Sequence, residues 1–302
     1  MMMKFFSLTV LIITTTLSGF EWYSETRISG APAWYSFFSY TTFTIPSDTM
    51  FRPNAEGIKT RFILMPYFEG MSRLFVGKHI NIRVSIGGAF FHHGTSWITE
   101  YMTAKITPQD IESIAFVSPA QLATHLFVVD TNIGSQWCLG SSVLSANPLF
   151  GYVYNQQNLT FVFADNNDKI KYNTLWTGPY AGIEGAFYPN TFLTFRGLYK
   201  FVFGHVRSCI VALLPIAPLP FSNACLSQYR APMFGNLLSI EFLYQIRRHI
   251  QFGVNVAYWQ YQNHKEKKLK ILSEPVPDVQ NALINRFMWR QVMLNFFVGC
   301  SF

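Results

Sequence analysis

Activating a water molecule needs an acid or base within about 3 Å of the proton it moves. The aspartates and histidines are therefore the first places to look for chemistry in this sequence. Asp48, Asp110, Asp130, Asp165, Asp168 and Asp278 all fall in stretches that read as external. A site assembled from separate segments would bring Asp130 to His92 or His93. The "HHG" at 92–94 offers two metal-ligand side chains. Adjacent residues of a strand point to opposite faces, however, so a polar loop pair is the simpler reading. No H-E-x-x-H, G-x-S-x-G or phosphate-cradling glycine loop occurs, and no spacing singles out a Ser/His set. No cofactor and no metal site is expected.

Cys138, Cys209, Cys225 and Cys300 show neither a CxxC nor a zinc spacing. In an oxidising compartment Cys209 and Cys225 are the pair that would close one loop. Cys138 and Cys300 fall in expected strands, where a cysteine acts as a small apolar residue.

The elements that would carry these residues follow from composition. Only 13% of the 302 residues are charged, about half the norm of roughly 25% for soluble proteins, and 17% are aromatic. No segment after the N-terminus offers the roughly 20 uninterrupted apolar residues of a spanning helix; "CIVALLPIAPLPF" (209–221) is short and broken by prolines. Aromatic surface without spanning helices leaves a closed β-barrel as the membrane solution, because lipid offers no partner to unpaired backbone groups. "MMMKFFSLTVLIITTTLSGF" reads as a secretory signal, with Lys4, an apolar stretch to about Leu17 and small residues at Thr16 and Ser18. Cleavage after Ser18 would leave 19–302 as the barrel. The net charge of +7 comes with no nucleic-acid motif, and the basic "HKEKKLK" at 264–270 reads as a solvated loop.

Period-two segments place ten strands at about 33–45, 57–68, 79–91, 135–145, 148–164, 173–187, 191–205, 233–246, 249–262 and 284–302. In "INIRVSIGG", Ile80, Ile82, Val84 and Ile86 share one face; Leu238, Ile240, Phe242, Tyr244 and Ile246 do the same in "LLSIEFLYQIR". The links alternate long and short, as they do in outer-membrane barrels with short periplasmic turns and longer external loops. Only 69–78 is too long for the inner side. The long links 92–134, 206–232 and 263–283 would then face the cell surface. Arg61, Arg83, Glu184, Arg196, Lys200, Glu241 and Arg247 would face the lumen as a charge-paired filling. Trp176 with the Gly178–Pro179 step reads as an interfacial aromatic beside a strand irregularity.

Residues 130–205 carry motifs beyond a pattern. "DTNIGSQWCLG", "NPLFGYVYNQQNLTF" and "YNTLWTGPYAGIEGAFYPNTFLTFRGLYKF" resemble the Protochlamydia outer membrane protein family. The resemblance rests on Asp130, Asn132 and Gly134; on Pro148, Leu149, Gly151, Tyr152, Tyr154, Gln157, Asn158 and Leu159; and on Trp176, Gly178, Pro179 and Gly182. It returns at 284–302 and fades before residue 125. It implies a chlamydial-type barrel, similar in outline to the omptins, ten-stranded outer-membrane proteases. Omptin-type proteolysis uses an acidic pair and an Asp-x-His pair on external loops, and this sequence has neither D-x-D nor D-x-H.

The expectation is an all-β, closed antiparallel transmembrane barrel that presents surface loops without evident catalysis. The alternatives are an omptin-like protease with divergent residues and a narrow channel. Expected partners are outer-membrane lipid and lipopolysaccharide, the barrel insertion machinery and a host or surface ligand, with no nucleic acid. Asn295, Cys300 and Phe302 fit the terminal pattern that resembles the address read by the insertion machinery, although Phe297 stands where glycine is usual. Arg286 and Arg290 share the outward parity of Phe302, at a height suited to lipid phosphates. Deleting Phe302 should lower the fraction of heat-modifiable barrel in cell envelopes; an unchanged fraction would remove its role in assembly.

Overall fold

Residues that alternate between lipid and lumen can satisfy both only in a wall one strand thick, and that wall is the whole fold. The computed structural model describes residues 22–44, 51–60, 63–77, 79–105, 111–140, 143–163, 169–213, 225, 227–247, 249–264, 267–268, 270–271 and 281–301. The expected signal peptide, Arg61 and Phe302 lie outside these.

Ten antiparallel strands form the wall. They are β1 (Trp22–Thr44), β2 in two segments (Phe51–Thr60 and Ile63–Val76), β3 (Ile80–Lys105), β4 (Ile111–Ser135), β5 (Leu144–Phe163), β6 (Lys169–Phe187), β7 (Leu193–Leu213), β8 (Ser227–Arg247), β9 (Ile250–Asn263) and β10 (Asn281–Ser301). Each pairs with its sequence neighbours, and β10 closes on β1 from Glu25↔Ser301 to Thr44↔Asn281. Closure leaves no strand of the wall as a sheet edge, which an unpaired strand in lipid could not tolerate. No described residue is helical. Where the two segments of β2 meet, Phe37 N donates to Thr60 Oγ1 at 2.6 Å, so a side chain takes over from the ladder.

Three assignments differ from the sequence expectation. Residues 92–105 and 111–134 are not a loop: they form the upper part of β3 and nearly all of β4, paired from Ile80↔Ser135 to Lys105↔Ile111. The expected strand at 135–145 is instead mostly the connection between β4 and β5, in which Trp137–Cys138 forms a two-residue strand against Ala146 and Ser145 and Trp137 and Leu139 are exposed. The first difference has a physical reason. In "LATHLFVV" apolar residues occupy both faces: Leu122, Leu126 and Val128 point into an apolar lumen and Phe127 and Val129 point out, so no period of two survives. The count of ten held because one strand was gained and one lost. The supposed link 69–78 likewise belongs mainly to β2, which runs to Val76 before a turn at Gly77.

The outward face changes character along the strands. Near the short turns it carries Ile28, Phe68, Ile82, Phe150, Phe195, Ile240, Phe252 and Phe296, all exposed. Further up, the outward positions become His125, Gln156, Asn158, His205, Arg207, Arg230, Gln260, Arg286 and Arg290. The strands reach 26 residues, whereas a tilted strand crosses a hydrocarbon core in roughly 9–11. The barrel therefore rises well above its apolar belt.

The interior is filled in two layers. Nearer the short turns it is charged. Above that, Trp176 stacks on Tyr261 with centroids 5.8 Å apart and Tyr261 on Trp289 at 5.5 Å, while Phe37 meets Phe287 edge-on at 5.1 Å. Trp176 is thus completely buried in the lumen rather than at a lipid interface. The irregularity after it has a packing cause. The β6–β7 ladder lapses at Gly178 and Pro179, and a Cβ on Gly178 would lie 2.7 Å from Gly204 Cα. Gly178→Leu should therefore lower the yield of heat-modifiable barrel. Gly197→Leu, where a Cβ meets nothing within 4 Å, should assemble normally; equal yields for the two would contradict this close approach.

Candidate functional site: the charged barrel interior

Strand parity puts ten acidic and basic side chains of the described residues into the lower lumen. Five are carboxylates (Glu25, Glu69, Asp130, Glu184, Glu241) and five are cations (Arg27, Arg73, Arg83, Arg196, Lys200), so these described charges sum to zero. Cross-strand register supplies the first contacts. Glu25 lies opposite Arg73 across β1–β2, and Arg196 lies opposite Glu241 across β7–β8.

Contacts across the lumen complete the network. Arg73 and Arg83 face each other across β2–β3 and would repel. Glu184, from the far wall, relieves this: both its oxygens accept from Arg73 Nη2, at 2.6 and 2.7 Å, and one lies 3.9 Å from Arg83. Arg27 bridges Glu25 and Glu241, the latter at 2.7 Å, and Arg196 reaches the same two carboxylates at 3.5 and 3.4 Å. Gln251 Nε2 donates to Glu25 at 2.6 Å. On the other side Lys200 pairs with Asp130, and its ammonium sits 4.4 Å from the Tyr180 ring centroid. Tyr180 OH donates to Asp130 at 2.5 Å and accepts from Asn132 Nδ2 at 2.9 Å.

Asp130 is therefore not an external acid. It is only 4% exposed and opposes Ser85, while His92 opposes Thr124, six positions further up β4. At about 3.4 Å per residue the two backbones are roughly 20 Å apart along the strand, too far for an acid–base pair. The side chains of His92 and His93, and Asp48, Asp110, Asp165, Asp168 and Asp278, lie outside the described residues. Arg247 also departs from expectation. A register shift at the end of β8 aligns it with Ile250, whose parity faces out, and it is exposed there rather than paired inside. Arg83, Glu184, Arg196, Lys200 and Glu241 do converge.

Glu25, Arg27, Glu69 and Arg73 were missed by sequence reasoning, since they precede the first expected strand or sit in the supposed link 69–78. Their signal was present as charges sharing one strand face, two residues apart in "SETRIS" and four apart in "FEGMSRLF". The inward half of the family-like motif frames the Lys200 pair. Asp130 and Asn132 bond within it, and a Cβ on Gly151 would strike the Tyr180 ring. Gly134, Gln157, Gly178 and Gly182 share that inward parity, while Pro148, Tyr152, Asn158 and Pro179 face out.

Interior cavities within this layer are small. One of about 60 Å³ lies among Arg27, Glu69, Arg83, Asp130, Lys200 and Glu241, and one of about 20 Å³ beside Glu184. The first is room for a few waters. Asn295 lines it, with its Oδ1 unpartnered among the described residues. With an aromatic layer above, the arrangement holds these charges in place within the lumen. Elsewhere, Cys209 and Cys225 form a disulfide with Cα atoms 5.6 Å apart, and Cys138 is exposed in the β4–β5 turn. Cys300 is half-buried with outward parity, and Arg286 lies outside the wall over the Phe38 ring at 5.7 Å.

Lys200 is buried, so removing it leaves Asp130 an uncompensated charge. Lys200→Met should cost about 3–5 kcal/mol of barrel stability, read from urea unfolding in micelles. The double variant Lys200→Met/Asp130→Asn should recover most of that loss. A double variant as unstable as the single would refute the pairing.

No family model and no curated protein matches the sequence. Among solved structures, the outer membrane protease OmpT from Escherichia coli is similar, with a TM-score of 0.66 and 11% identity over 96% of this chain and 100% of that one. The translocator domain of the autotransporter NalP from Neisseria meningitidis gives a TM-score of 0.41 and 10% identity over 99% of this chain and 95% of that one. The likeness is one of fold: the chain is a closed, ten-stranded antiparallel barrel of the kind found in outer-membrane proteins.

Proposed function

We propose that this chain is an outer-membrane barrel that works from its surfaces rather than through its lumen. It is anchored by the apolar belt, with the turns after β2, β4, β6 and β8 in the periplasm and the connections after the odd-numbered strands at the cell surface. The observation that carries this reading is a coincidence of level. The exposed apolar belt surrounds the same tier of the barrel whose interior is a neutral, interlocked ion cluster. A wall of that kind is stable only with lipid outside, and its interior leaves little room for a solute. Kinship with the Protochlamydia outer membrane protein family fits the inward motif residues, and Arg286 and Arg290 suit contact with lipid headgroups. The machinery reading strand β10 would be the assembly partner, and a host or surface ligand would meet the upper rim.

The fold shared with a protein described as a protease supports a second reading, a hydrolase at the external rim. Assembled protein in detergent should leave basic peptides uncut. Hydrolysis abolished by His92→Ala or His93→Ala would replace the surface-barrel reading with that of an enzyme. Orientation has a built-in reporter, because Cys138 is exposed in a short turn. An impermeant maleimide on intact cells should label a cysteine placed at Thr107 and should reach Cys138 only after the envelope is permeabilised. The reverse pattern would invert the proposed topology.

A further inference from the structure

Arg207 on β7 and Arg230 on β8 are directly opposed in the antiparallel ladder, and both point outward and are exposed. Directly opposed residues hold their Cβ atoms about 4.5–5.5 Å apart, where like charges destabilise the pair. The interior Arg73–Arg83 pair has Glu184 between its members, but neither Arg207 nor Arg230 makes an ion pair with a described residue. Immediately below the two arginines the wall is grooved. Pro232 opposes His205 and Phe234 opposes Phe203. An apolar groove of about 500 Å³ runs over Phe201, Phe203, Gly204, Pro232, Phe234 and His264. From the Pro232–His205 step to the arginine pair is two residues, about 7 Å along the strand.

The geometry points to a binding site for one phosphate-bearing membrane lipid, its phosphate between the Arg207 and Arg230 guanidiniums and an acyl chain in the groove beneath. It rests on the membrane-barrel reading above and deepens it, two strands away from Arg290 on β10. Charge complementarity selects the occupant. Two unneutralised guanidinium forks match the oxygens of a phosphate, while the groove beneath offers rings and a proline to a hydrocarbon chain. The pair stands at the upper limit of the exposed aromatic run Tyr199, Phe201 and Phe203, where an acyl chain would pass into its headgroup.

Native mass spectrometry of the full-length assembled barrel, titrated with short-chain phosphatidic acid, tests the site. Diacylglycerol with the same chains and inorganic phosphate are the comparison probes. The barrel should bind one phosphatidic acid at least about tenfold more tightly than either comparison probe, and R207Q/R230Q should lose about tenfold in that affinity. The groove variant F203A/F234A should also weaken the lipid while leaving inorganic phosphate unchanged, which tests the site even should the arginine variant assemble poorly. Undiminished phosphatidic acid binding in either variant would overturn the assignment, as would inorganic phosphate binding as tightly as the lipid. Heat-modifiable assembly of the wild type reports separately on the barrel reading, since its absence would sink that reading whatever binds.

Discussion

A charge buried inside a barrel wall has only other side chains to neutralise it. Ionised groups taken out of water lose several kcal/mol each unless partners restore it, and the lower lumen holds ten of them. The pairing is distributed rather than pairwise. Glu25 and Glu241 are each shared by Arg27 and Arg196, and Glu184 holds Arg73 with Arg83 close by. Seven of the ten strands contribute a member. The cluster therefore depends on correct register in most of the wall at once, because a one-residue slip sends a strand's inward charges into lipid.

That dependence organises the rest of the molecule. Strand parity is set twice over, by lipid outside and by the ion cluster inside, and the two agree along β3, β7 and β8. Above the cluster the constraint changes. Trp176, Tyr261, Trp289, Phe37 and Phe287 fill the lumen with rings, and the outward face turns polar and basic. The wall thus has a lower tier, polar inside and apolar outside, and an upper tier in which the two faces largely exchange character.

This exchange explains what was legible in the sequence. Strands in the lower tier alternate cleanly, so Ile80–Ile86 and Leu238–Ile246 could be read directly, and so could the lumenal destination of Arg83, Glu184, Arg196, Lys200 and Glu241. In β4 the apolar lumen and the apolar belt overlap, the period of two disappears, and a 25-residue strand reads as a loop. Trp176 was misplaced for a related reason, since an aromatic beside Gly-Pro looks the same whether it faces headgroups or stacked rings. Asp130 could not be located from its neighbours, because its partners Lys200 and Tyr180 come from strands 50 to 70 residues away. Charges at every second position in "SETRIS" were informative but fell outside the apolar pattern used to find strands.

The central claim is that the interlocked ion cluster and the rings above it close the barrel's interior. The most direct measurement is a planar-bilayer recording of the assembled wild-type protein. The ion-paired filling predicts no steady conductance above the protein-free baseline. Reproducible steady conductance would contradict it and make the lumen a path for solutes.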